Sequence, residues 1–245
     1  MKSLARSLQD LGDPVPFPYA LPADIRRGDL VMLLAAPKVG KGKIAVDWAL
    51  RVASTGLPVT YLTTDTRITE QAVRVIANLS GETKAAVKDR LDYWSGWLTG
   101  VGHPLRWAAG GFGSGDLWEL LEAEAEFFGR YPEMLVVDVA FDLLRGQEDA
   151  GSARKVFRDL HKLGSQTGTL ILALHHVKAG DSANGNTFVS MADGMYQVHM
   201  IPETVITAWR GNAGMVSMHL AKNRSGMDGQ TIQVAVDFDR AKVIT

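Results

Sequence analysis

Leu30-Val31-Met32-Leu33-Leu34-Ala35-Ala36-Pro37-Lys38-Val39-Gly40-Lys41-Gly42-Lys43-Ile44-Ala45 sets the architecture of this chain. An apolar run, read as a buried strand over Leu30–Leu34, ends in a turn of Pro, Gly and Lys. Helical spacing follows, with Ile44, Trp48, Ala49 and Val52 on one side of a helix from Ile44 to Ala53. A strand that turns through Gly-Lys into a helix surrounds a polyphosphate with backbone N–H groups and one ammonium. The full pattern is G-x-x-x-x-G-K-[ST]; here Ala35 stands at the first glycine and Gly42 at the hydroxyl position. That hydroxyl ordinarily ligates Mg²⁺, so the stretch names a nucleotide site and also weakens its metal ligation. In this register Lys41 neutralises the β and γ phosphates, and the N–H groups from Val39 to Lys43 form the anion nest. A second register gives that role to Lys43, but it sets Pro37 at the first glycine and Ile44 at the hydroxyl.

Strand and helix alternate on both sides of this unit. Val59–Leu62, Leu105–Ala108, Met134–Val137 and Thr169–Leu174 read as strands. Glu70–Leu79, Glu82–Arg90, a segment capped by Asp116, and about Ser152–Leu163 read as helices. This β-α-β order predicts an α/β domain, a mainly parallel sheet covered on both faces. The last fifty or so residues alternate instead, at Met195–Met200, Thr204–Trp209, Met215–Leu220 and Thr231–Phe238, which predicts an antiparallel meander at the sheet edge. Before the core, residues 1–12 suit a short helix, and Asp13-Pro14-Val15-Pro16-Phe17-Pro18 an extended arm. The expected division is therefore an arm over residues 1–24 and one domain over 25–245. Lys178 to Asp193, rich in Gly, Ser, Asn and Ala, is a long loop of the kind that carries function.

The bulk composition narrows the chemistry. A net charge of −1 leaves no global basic field to draw the chain onto nucleic acid. With no cysteine among 245 residues, disulfides, thiolate catalysis and cysteine-ligated zinc are excluded. That fits a reducing cytoplasm. No apolar run reaches the ~18 residues of a membrane span.

Four further groups carry chemistry. Asp138 ends the strand Met134–Val137, at the edge where ligands of open α/β sheets gather, and suits Mg²⁺. Asp65 follows Val59–Leu62 at the same edge and either polarises a water or caps the helix starting near Ile68. His175-His176 ends the strand Thr169–Leu174: a polar pair there can sense a γ-phosphate, with one of the two facing the core. Lys222-Asn223-Arg224 ends Met215–Leu220, where Lys and Arg suit phosphate contact.

Together these pieces resemble the RecA/DnaB-like P-loop ATPase core, particularly its short phage- and plasmid-type members, over roughly residues 25–240. The resemblance implies ATP and Mg²⁺ as cofactors, nucleotide held between subunits of a ring, usually a hexamer, and single-stranded or branched DNA in its channel. It assigns the loop Pro37, Lys38, Val39, Gly40, Lys41, Gly42 and Lys43 to phosphate, with Lys41 the phosphate lysine, and Asp138 to the metal. Asp65 stands where such proteins usually have a catalytic Glu, His176 is the sensor, and Lys222 and Arg224 reach a neighbour's nucleotide. It places Gly146–Ser152 and Lys178–Asp193 at the channel and makes the N-terminal arm a strap between subunits. The implied function is a DNA-acting ATPase of replication or recombination, in a bacterial or phage-infected cell. Two other readings compete. A metal-dependent, structure-specific nuclease would use Asp65, Asp138, Asp142, His175 and His176 for divalent ions. A nucleotide-binding scaffold would hydrolyse weakly or not at all, because Gly42 offers no ligand.

Overall fold

The computed structural model describes residues 13–15, 17–146, 149–178 and 184–244. Nine strands in this part form one mixed sheet, in the order β3-β2-β4-β5-β1-β6-β7-β8-β9. β1 (Leu30–Ala35) leads through the Gly40 turn into α1 (Lys41–Ala53). β2 (Val59–Thr63), α2 (Ile68–Ser80), α3 (Lys84–Lys88), α4 (Leu91–Val101) and β3 (Leu105–Ala109) follow. α5 (Asp116–Phe128) precedes β4 (Met134–Asp138), and α6 (Ala150–Thr167) precedes β5 (Leu170–His176). β6 (Thr204–Arg210), β7 (Met215–Asn223), β8 (Thr231–Asp237) and β9 (Lys242–Ile244) complete the chain.

Every residue of β1, β2 and β4 is buried, so both faces of the sheet are covered there. α1 packs on β1, β2 and β4; its inward side carries Ile44, Ala45, Trp48, Ala49 and Val52. α6 packs on β1 and β5 through Ala153, Val156, Phe157, Leu160 and Leu163. Asp149 starts α6 by accepting hydrogen bonds from the N–H groups of Gly151 and Ser152.

The expected α/β architecture with antiparallel C-terminal strands is the one present, and four details differ. β6 runs parallel to β1, so the first strand of the expected meander belongs to the parallel part. Only β7, β8 and β9 are antiparallel to their predecessors. Met195–Met200 is not a strand but two 3-10 turns meeting at Tyr196 and Gln197, both with positive φ. Its apparent alternation comes from Val198 entering the core and Tyr196 stacking on Phe141. The helix expected over Glu82–Arg90 is only α3, and α4 follows it with Trp94 packed on Val73, Ile76, Ala77 and Val87. At α5 the cap position is Gly115, while Asp116 accepts from the N–H of Gly113 and pairs with Arg145.

The described arm folds onto its own core. Val15 pairs with Ile25, Phe17 sets its ring edge-on to Trp48, and the Tyr19 hydroxyl lies 3.1 Å from the Ile44 carbonyl and 3.2 Å from Asp47 Oδ2. The helix expected over residues 1–12 lies outside the described residues. No helix among the described residues is long and apolar enough to cross a membrane.

Candidate functional site

Sheet order determines which side chains meet. β5 lies between β1 and β4, and its last residue, His176, is in register with Ala35 at the end of β1. On the other side of β4, Asp138 is in register with Thr63 of β2. The C-terminal ends of β1, β5, β4 and β2 therefore bring the Gly40 turn, His176, Asp138 and Asp65 to one edge. There they line a pocket of about 300 Å³ together with Lys38, Lys41, Gly42, Lys43 and Arg74.

The turn itself is built for an anion. Lys38 at φ 64° and Gly40 at φ 120° swing the backbone into α1. Glycine suits position 40 because φ is left-handed there, a conformation that L side chains rarely adopt. Gly40 also puts no side chain over the first turn of α1, leaving its amide end open to a ligand. Pro37 lines the pocket; Val39 is buried, with its side chain toward Gly185.

Around this turn the charges are buried. Lys41 Nζ donates to the carbonyls of Ala35 at 2.7 Å and Ala36 at 3.2 Å, and lies 3.3 Å from His176 Nδ1. Burial pushes this ammonium down to about 8, against the pull of Asp138 and Asp65. Lys43 sits over the Phe238 ring and is also pushed down to about 8, by burial and then by Lys84, Arg74 and Arg210. A polyphosphate would relieve this crowding of cations.

Asp138 is buried, and burial raises its carboxyl while the Tyr61 hydroxyl, donating to Oδ2 at 2.7 Å, opposes the rise. Asp65 does not cap α2: the cap position is Arg67, with no side-chain bond, and Asp65 instead accepts from Thr66 Oγ1 at the pocket. His176 is pushed down to about 4 by burial and then by Lys41, so it meets the ammonium as a neutral acceptor. His175 is the member of the pair that faces the core, edge-on to Phe157 and bonded to the Met195 carbonyl at 3.0 Å.

Lys222 and Arg224 do not join this pocket. Lys222 is in register with Val205, which pairs with Met32 near the start of β1, well back from the edge where the pocket opens. Lys222 Nζ donates to the carbonyls of His199, Met200 and Pro202, and Arg224 pairs with Glu203. Two groups outside any motif bear on the site: Arg74, which lines the pocket, and Tyr61, which is buried behind it and reaches Asp138. The clue for Tyr61 was a phenol in an otherwise buried strand, which must find an acceptor. Arg74 had no local signal beyond being a charge on an amphipathic helix.

For Mg²⁺, the residues fit a metal held by Asp138 and by phosphate or water oxygens, not one ligated by the turn, since Gly42 has no hydroxyl. Among the described residues no group of three His, Asp or Glu gathers as a metal cluster. The five residues of the nuclease reading are divided accordingly: His175 is turned to the core, and Asp142 is taken up by the Thr64 hydroxyl at 2.6 Å.

Comparison with known proteins agrees with this fold. The family model described as AAA domain matches residues 6–182, and the chain belongs to that family. Its fold is that of the RecA/DnaB-like P-loop ATPases. A DnaB-like replicative helicase, solved in a study of its interactions with primase, superposes with a TM-score of 0.77 at 15% identity over 89% of this chain. The chain spans 57% of that helicase's length. The ATPase domain of G40P matches with a TM-score of 0.77 at 15% identity, over 90% of this chain and 85% of that domain. Two curated relatives are phage proteins. The gene 65 protein of Mycobacterium phage L5 is 28% identical, over 88% of this chain and 85% of its own. Its counterpart in Mycobacterium phage D29 is 25% identical, over 80% and 89%.

Proposed function

We propose that this protein is a replicative, DNA-acting ATPase of the phage-infected cytoplasm that holds ATP between neighbours of a ring. One observation carries the reading: an uncapped helix start, Lys41, Asp138, Asp65 and His176 converge from four strand ends on one pocket. The triphosphate lies along the Gly40 turn. Lys41 leaves the carbonyls of Ala35 and Ala36 to meet it, and the helix amides complete the cradle. The base end falls toward Phe238 and Arg210, which border the turn. Bound Mg²⁺, held through Asp138, would supply charge neutralisation at the phosphates. Asp65 orients the attacking water from the opposite wall, and its side chain, one methylene shorter than Glu, favours slow turnover. His176, touching Lys41, senses whether the ammonium has been drawn to phosphate.

Lys222 and Arg224, held away from their own pocket, suit a neighbour's nucleotide in a ring, most simply a hexamer. The Lys178–Asp193 segment suits the DNA channel, and its described part leans on the turn: the Gly185 carbonyl accepts the Arg210 N–H at 2.6 Å. A Cβ on Gly185 would meet Val39 Cγ2 at 2.7 Å. Nucleotide and DNA can thus be linked through two touching loops.

The test measures ATP turnover and cleavage of forked DNA side by side in wild type, Lys41→Ala and Asp138→Ala, with and without single-stranded DNA. Slow, DNA-stimulated turnover lost in both variants is expected. Tight nucleotide binding with no turnover would favour the scaffold reading, which Gly42 supports. Cleavage that survives Lys41→Ala and is lost in Asp138→Ala would overturn the ATPase reading.

A further inference from the structure

Gly42 leaves a gap that another residue fills. A Cβ built on Gly42 would lie 3.2 Å from Asp138 Oδ2, 3.4 Å from Arg74 Nη1 and 4.0 Å from Tyr61 Oη. A serine or threonine hydroxyl there would enter the space of the hydrogen bond that Tyr61 already gives Asp138. Tyr61 reaches this point from the middle of β2, fully buried, its ring 4.4 Å from that of Trp107. The phenol O–H is the donor of this 2.7 Å bond and the carboxylate oxygen its acceptor.

We propose that Tyr61 is the positioning residue of Asp138, donating to it from β2 beside the position where the turn has no hydroxyl, and that the bare Gly42 is what gives this bond its room. The inference rests on the nucleotide reading of the pocket. In that frame the turn offers no metal ligand, a phenol on the sheet fixes the acid that faces the metal, and the glycine avoids two hydroxyls competing for one carboxylate oxygen.

The experiment is a double-mutant cycle on the full chain: wild type, Tyr61→Phe, Gly42→Ser and the double variant. A fluorescent N-methylanthraniloyl ATP is titrated in EDTA and at increasing Mg²⁺. Affinity in EDTA also shows whether each variant keeps a folded pocket. Wild type is expected to gain affinity with Mg²⁺, and Tyr61→Phe to lose about tenfold of that gain, as for a lost hydrogen bond to a charged group. Gly42→Ser should restore the Mg²⁺ response in the Tyr61→Phe background and give no gain, or a loss, in the wild-type background. That coupling is the signature of two hydroxyls serving one site.

An unchanged Mg²⁺ response in Tyr61→Phe, or the same serine effect in both backgrounds, overturns the proposal. A wild type that binds equally well in EDTA and Mg²⁺ also overturns it while leaving the nucleotide pocket standing. A wild type that binds in neither condition removes the nucleotide reading itself, and this inference with it.

Discussion

Lys41 Nζ lies 3.3 Å from His176 Nδ1, a buried ammonium against a half-buried neutral imidazole. With Lys41 held near 8 by burial, only its protonated form can meet a polyphosphate. Nucleotide affinity is therefore flat well below pH 8 and falls as the ammonium deprotonates, by about fivefold from pH 8 to 9. Lys43, also near 8, steepens the fall. Fluorescent-nucleotide titrations from pH 6.5 to 9.5 measure this, and Lys41→Arg, which stays charged, should lose most of the dependence. A flat wild-type profile would count against a phosphate role for Lys41.

His175 gives an acid-side prediction. Its imidazole is pushed down to about 4 by burial, whereas in the unfolded chain it protonates near 6.5. Between those values the unfolded state binds more protons, so stability rises with pH and drains away as pH falls from 6.5 to 4. The contribution is roughly 3 kcal/mol. Urea melts at successive pH values should show this slope in wild type and a shallower one in His175→Gln. Equal slopes would refute it.

Gly185 tests the contact between the loops. Its φ of 75° disfavours any side chain, and a Cβ would stand 2.7 Å from Val39 Cγ2. Gly185→Val should displace the Gly40 turn and weaken nucleotide binding, by about tenfold if the displacement costs about 1.4 kcal/mol. Isothermal titration reads the change, and unaltered affinity would show that the two loops move independently.

Asp47 tests how α1 is anchored. Its buried carboxylate accepts from Arg51 Nε at 2.8 Å, Asn78 Nδ2 at 3.0 Å and the Val243 N–H at 3.3 Å. Tyr19 adds its hydroxyl. Asp47→Ala strands several buried donors at once and should cost about 3 kcal/mol or more. A melting temperature within a degree of wild type would be the contrary result.

Several of these relationships could be read before any coordinates. The apolar runs at Leu30–Leu34 and Met134–Val137 are buried strands because nothing in them tolerates water, and Gly40-Lys41 marks the turn because its backbone needs a left-handed residue. α4 was not legible: Gly96, Gly100 and its Ser and Thr weaken helix propensity, and Trp94 holds it through contacts made only after folding. Met195–Met200 imitates a strand because burial of alternate residues looks the same in a pair of tight turns. The parallel direction of β6 is likewise invisible locally, since direction depends on the neighbour and not on the strand.

The sequence alone determined the α/β alternation, the strand-to-helix turn at Gly40 and the missing hydroxyl at Gly42, because those depend on side-chain type and near spacing. Only the tertiary structure decided that β5 would stand between β1 and β4, that His176 rather than His175 would reach Lys41, and that the Tyr61 phenol would meet Asp138. Those contacts join residues far apart in the chain, and they exist only where sheet order and register bring strand ends to one edge.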